Sequence, residues 1–114
     1  VTTVKQFWND RAAEPHPGTD DFVLKELEIR AIIPRVPLGA SVLDVGCGDG
    51  ETLSRLPDRS RMGVDFSPAM LGAARRRIPD TNTKFLLATV PGEWKFPQKF
   101  DVVISERVLI NLAP

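Results

Sequence analysis

The run Val42-Leu43-Asp44-Val45-Gly46-Cys47-Gly48-Asp49-Gly50 constrains this chain more than any other segment. Val42 to Val45 is a short stretch apolar on both faces, the pattern of a strand buried on both sides in a parallel sheet. Glycines then follow at every second position. They let the backbone turn tightly after the strand and let a ligand approach without interference from a Cβ atom.

The remaining segments supply what such a strand needs. Thr19 is placed to cap a helix over Asp20 to Ile33, in which Val23, Leu24, Leu27 and Ala31 recur at helical spacing and which Pro34 and Pro37 close. Before it, Val1 to Gly18 reads as a short helix and a loop, broken by Glu14-Pro15-His16-Pro17-Gly18. Glu51 to Leu56 reads as a short helix stopped by Pro57, and Met62 to Asp65 as a second strand. Ser67 and Pro68 form the N-cap and first position of a helix running to about Ile78. Phe85 to Ala88 is a third strand and Asp101 to Ser105 a fourth. Strands alternating with helices predict an α/β fold, a parallel sheet with right-handed crossovers and helices on both faces.

Composition narrows the partners. Fifteen Lys and Arg balance fifteen Asp and Glu over 114 residues, so the formal net charge is zero. That balance argues against duplex nucleic acid or an anionic membrane as the main partner. No apolar run approaches the roughly 20 residues of a membrane span, and the N-terminus lacks the layout of a signal peptide. One cysteine, Cys47, cannot form an internal disulfide, which fits a reducing, cytoplasmic setting.

Parallel strands place Asp44, Asp65, Thr89 and Ser105 at or near one edge of the sheet, the edge at which open parallel sheets bind ligands. Asp101 starts its strand, so it falls at the opposite edge and reads as structural. Asp65 lies about 20 residues beyond Gly46, the distance at which an acid reaches a ribose in nucleotide-binding folds. A dinucleotide fits poorly: Glu51 occupies the place of a third glycine, and Glu51 and Asp49 would face a pyrophosphate with like charge. A ligand without phosphates, carrying an amino group and a sulfonium, suits an acidic turn better. S-adenosylmethionine has those features.

On these residues the chain resembles the class I S-adenosylmethionine-dependent methyltransferases. Val42 to Gly50 is similar to the family's glycine-rich first motif, Gly63-Val64-Asp65-Phe66-Ser67-Pro68-Ala69-Met70-Leu71 to its second, and Phe100-Asp101-Val102-Val103-Ile104-Ser105 to its fourth strand. The resemblance implies a Rossmann-like fold of which this chain holds the first four of seven strands. Residues 1–38 would be an N-terminal helical cap and 39–114 a cofactor-binding domain cut short at its C-terminus. Phe7-Trp8-Asn9-Asp10-Arg11 and Leu27-Glu28-Ile29-Arg30 resemble the cap of bacterial members that methylate small molecules.

Carried over by position, the resemblance implies that Asp44 orders the methionine amino group. Gly46, Cys47 and Gly48 would pass along the methionine chain, Asp65 would accept both ribose hydroxyls, and Phe66 would lie against adenine. The family often places an acid or amide where this chain has Thr89, which offers a hydroxyl instead. Ser105 ends the fourth strand at the binding edge, and with Glu106 and Arg107 it is placed to touch an acceptor. The implied activity is methyl transfer to a small-molecule acceptor; the other reading is a non-catalytic adenosyl-binding module or regulatory subunit. Val108, Leu109, Ile110 and Leu112 look core-facing, and a fourth strand without a fifth would leave an apolar edge open to association, a homodimer included.

Other chemistry-bearing residues read as structural. Cys47 has no adjacent His and suits its place by being small. His16 has no partner at metal-ligand spacing, so no metal is expected. Arg75-Arg76-Arg77 reads as a solvated helix end that complements the helix dipole, while Trp8 and Arg11 read as a packed aromatic and a surface cation.

Overall fold

The computed structural model describes residues 22–88 and 99–106. Its elements are helix α1 (Phe22–Ile32), a 3-10 turn (Ile33–Arg35), strand β1 (Ser41–Val45), helix α2 (Glu51–Ser54), strand β2 (Ser60–Asp65), helix α3 (Pro68–Arg77), strand β3 (Lys84–Leu87) and strand β4 (Val102–Ser105). The strands form one sheet in the order β3-β2-β1-β4. All three pairings are parallel, with Asp44 opposite Gly63 and Ile104, and Val45 opposite Val64 and Ser105. Each strand expected from sequence is present, with ends displaced by one or two residues. Thr19, His16, Thr89, Arg107, the Phe7 to Arg11 segment and the apolar stretch from Val108 lie outside the described residues.

β1 is central, and its sequence shows why. Val42 is fully buried and Leu43 nearly so, on opposite faces of the strand. Val42 joins a cluster with Val36, Ala40, Cys47, Leu53, Leu56, Leu71, Ile78 and Ile104, whereas Leu43 joins Val45, Val64 and Ala88 on the other face. The helices α1, α2 and α3 all serve the first cluster. Steps from β1 to β2 to β3 run in one direction across the sheet, so right-handed crossovers put their helices on the same side. Helices on both faces were expected; among the described residues they cover one face. No helix among those residues is long and apolar enough to cross a membrane.

α3 starts as its sequence dictates. The Ser67 hydroxyl accepts a hydrogen bond from the Met70 amide at 3.2 Å, and Pro68 occupies the first turn, where its missing N–H costs nothing. α1 differs from expectation. Val23, Leu24 and Leu27 are exposed, and the helix instead buries Ile29. Its inward face holds Lys25, Glu28, Ile29 and Ile32, positions three or four apart. Charged residues interrupt that face, which hides it from a search for apolar periodicity.

Candidate functional site

The site forms where the sheet's C-terminal edge meets the glycine turn. After β1 the chain stays attached to β2, because the amides of Gly46 and Cys47 both donate to the Val64 carbonyl, at 2.8 and 3.0 Å. Two glycines then do different work. Gly48, at φ +56°, has open space where a side chain would project, so the backbone itself is the surface there. Gly50, at φ +80°, would place a Cβ 3.1 Å from the Ala74 Cβ, so α3 stacks closely on the turn.

Asp65 ends β2 and is almost wholly buried. One carboxylate oxygen accepts from the Gly48 amide at 2.8 Å, the other from the Ser67 amide at 2.9 Å. It therefore clamps the turn after β1 to the turn after β2. Burial raises its pKa, and the amides of Ser67, Gly48 and Phe66 oppose that rise. A carboxylate provides about four acceptor positions, so some acceptor capacity remains.

Asp44 is 2% exposed, and its Oδ1 atom is buried with no hydrogen-bond partner. Its pKa is pushed up to about 8, first by burial, then by the negative charge of Glu106, against which the Lys25 ammonium acts. Glu106 follows β4. It accepts from the Thr52 hydroxyl at 2.6 Å and from the Lys25 ammonium at 3.2 Å. Burial raises the Glu106 carboxyl, but the Thr52 hydrogen bond and the Lys25 charge outweigh it, and the group titrates below an ordinary Glu. Thus α1, α2 and the end of β4 meet beside Asp44. Sequence reading missed Lys25 and Thr52, whose roles depend on contacts with a residue 81 and 54 positions away.

Several expected residues stand elsewhere. Asp49 does not face the ligand edge with free charge: its carboxylate accepts from Arg77 at 2.8 Å and from the Glu51 amide at 3.2 Å. Arg77 is accordingly more than a solvated helix end, and Arg75 donates to the Phe85 carbonyl. The Cys47 side chain lies in the core, where a Cβ on Gly63 would come within 2.7 Å of its sulfur. Burial pushes its thiol well above the ordinary range, and that thiol donates to the Gly48 carbonyl at 3.7 Å. Phe66 is half-buried and belongs to neither core cluster. Ser105 is exposed at the end of β4, in register with Val45.

Residues 42–114 match the family described as methyltransferase domain. The chain is 40% identical over 85 residues to trans-aconitate 2-methyltransferase of Rhodopseudomonas palustris strain HaA2, covering 71% of this chain and 32% of that protein. It is 38% identical over 68 residues to malonyl-[acyl-carrier protein] O-methyltransferase of Acetivibrio thermocellus, covering 56% of this chain and 24% of the relative. The fold is similar to that of an S-adenosylmethionine-dependent methyltransferase from Thiobacillus denitrificans solved with S-adenosylhomocysteine, at a TM-score of 0.72 and 21% identity, over 100% of this chain and 48% of that one. The chain spans about a third or less of the length of these curated relatives. The family match takes in the glycine turn, Asp44 and Asp65, the residues on which the edge is built, and on that basis the chain belongs to the class I S-adenosylmethionine-dependent methyltransferases.

Proposed function

We propose that this edge holds S-adenosylmethionine and that the protein directs its methyl group to a small-molecule acceptor. The observation that carries the reading is the buried, unpartnered Oδ1 of Asp44. Leaving such an oxygen unsatisfied costs about 1–3 kcal/mol, and an ammonium group delivered to it would relieve that cost. The residues present fit the cofactor. Asp44 would hold the amino group, the bare backbone at Gly48 leaves a path for the methionine chain, and Asp65 has acceptor capacity left for the ribose hydroxyls. Phe66 is free of both core clusters and available to an adenine face.

When bound, S-adenosylmethionine supplies the electrophilic sulfonium methyl. The protein's own task is alignment and exclusion of water. Ser105, exposed at the end of β4, is the residue we assign to the acceptor side, while the Glu106 carboxylate is already engaged by Thr52 and Lys25. A small-molecule acceptor is supported by the name of the trans-aconitate relative.

Calorimetric titration of the 114-residue chain with S-adenosylhomocysteine and with NAD, followed by methyl-release assays across small organic acids, tests the proposal. S-adenosylhomocysteine should bind, NAD should not, and Asp44→Ala should weaken the binding. Absence of S-adenosylhomocysteine binding by the folded chain would overturn the reading.

A further inference from the structure

Asp49 sits inside the glycine turn yet contributes nothing to the surface, for it is 5% exposed. Its Oδ1 receives the Glu51 amide, which begins α2, and its Oδ2 receives Nη2 of Arg77, the last residue of α3. Arg77 is 40% exposed on its side chain, and Asp49 7%. The contact is not an isolated surface pair. Ala74, one helical turn before Arg77, lies under Gly50 so closely that a Cβ there would stand 3.1 Å away, and Ile78, the next residue, reaches the same spot. The last turn of α3 is therefore stacked on the glycine turn by shape and fastened to it by charge.

The turn is thus held at two points. Asp65 takes the Gly48 amide at 2.8 Å from one side, and Asp49, fixed by Arg77, takes the Glu51 amide from the other. Between them the Gly50 amide donates to the Cys47 carbonyl at 3.0 Å. A glycine-rich segment is the part of the chain with most conformational freedom to lose, so its shape must be imposed from outside. Asp65 belongs to the binding edge and supplies one restraint. The other comes from a residue at the far end of a helix, 28 positions along the chain from Asp49.

We propose that Arg77 is a positioning residue that fixes the shape of the Gly48–Glu51 turn through Asp49, and through that shape sets cofactor affinity without touching the cofactor. Guanidinium suits the role better than ammonium because its planar donors keep their direction on a carboxylate. The affinity half of the proposal rests on the cofactor reading above. The restraint on the turn does not.

Hydrogen exchange of the ligand-free chain reads the restraint directly. In Arg77→Met the amides of Gly50 and Glu51 should exchange about tenfold faster, while those of Val42 and Leu43 in β1 keep the parent rate. Arg75→Met is the control: it removes a cation from the same helix turn, one that bonds the Phe85 carbonyl instead of Asp49. It should leave the turn amides unchanged. S-adenosylhomocysteine affinity should fall roughly fivefold to tenfold in Arg77→Met, less in Arg77→Lys, and no further when Asp49→Asn is added to Arg77→Met. Parent-like exchange at Gly50 and Glu51 in Arg77→Met, an equal effect from Arg75→Met, or additive losses in the double variant would overturn the proposal. If Arg77→Met does not fold, Arg77→Lys gives readings in the same direction and of smaller size. Faster exchange in Arg77→Met together with no S-adenosylhomocysteine binding by the parent would support the restraint and overturn the cofactor reading alone.

Discussion

The Asp101 carboxylate accepts the Ser41 amide at 2.9 Å, and the Asp101 amide lies 3.0 Å from the Ser41 carbonyl and 2.9 Å from its hydroxyl. These two residues tie the starts of β1 and β4 together at the edge of the sheet opposite the glycine turn. Asp101→Ala should therefore lower stability by about 1 kcal/mol, a modest figure because the pair is exposed. The unfolding midpoint should drop by several degrees, on the order of 4–8 °C per kcal/mol in a chain this small. S-adenosylhomocysteine affinity of the folded variant should match the parent, and a calorimetric titration below the midpoint checks it.

Asp65→Ala should behave differently from Asp101→Ala. Hydrogen bonds to a charged group contribute about 1.5–3 kcal/mol, so affinity for S-adenosylhomocysteine should fall about tenfold to a hundredfold. Because the same carboxylate holds the Gly48 and Ser67 amides, stability should fall as well. Urea unfolding alongside calorimetry separates the two losses. Undiminished affinity in folded Asp65→Ala would remove Asp65 from the ribose role.

Asp44 makes stability depend on pH in an unusual direction. Its pKa rises from an ordinary 3.8 to about 8 on folding, so between these values the folded chain holds a proton that the unfolded chain has released. Stability from this group is full below about pH 4 and is lost as pH rises through 8, with a slope of at most about 1.4 kcal/mol per pH unit. Glu26, Asp80 and Glu106 are shifted downward and act at more acidic pH, whereas Asp65 is shifted upward by burial and adds a loss of the same sign. Urea midpoints should fall between pH 6 and pH 8.5 in the parent and fall less steeply in Asp44→Asn, where only the upward shift of Asp65 remains. An ammonium ligand needs the ionised carboxylate, so binding S-adenosylhomocysteine at pH 6.5 should release a proton. The calorimetric heat should then vary with the ionisation enthalpy of the buffer.

Gly63→Ala should destabilise through shape alone. The new methyl would stand 2.7 Å from the Cys47 sulfur and 2.8 and 2.9 Å from two ring carbons of Phe85. Overpacking of this kind costs roughly 1–3 kcal/mol. Adding Cys47→Ala should recover part of the loss in urea unfolding; recovering none would assign the strain to the Phe85 ring.

The strands and the binding edge were legible because short apolar runs, glycine turns and Ser67-Pro68 are local signals. The position of Asp65 at the end of β2 followed from them. The face of α1 was not legible. Val23, Leu24 and Leu27 keep helical spacing yet point to solvent, while Lys25 and Glu28 turn inward. Charges on an inward face have meaning only once Glu106 is in place. Asp49 misleads for a related reason: in sequence its charge is available to a ligand, whereas in the fold Arg77 pairs with it. Leu86 and Leu87 belong to an edge strand among the described residues, so this apolar run is half exposed.

Cys47 is the chain's single thiol, buried beneath Gly63 with its ionisation suppressed. Reagents that attack thiolates reach it only when β1 and β2 part at the turn. The molecule thus carries its own chemical clock: alkylation should proceed at the frequency with which the turn opens, and a ligand that closes the turn should slow that clock without any probe having been introduced.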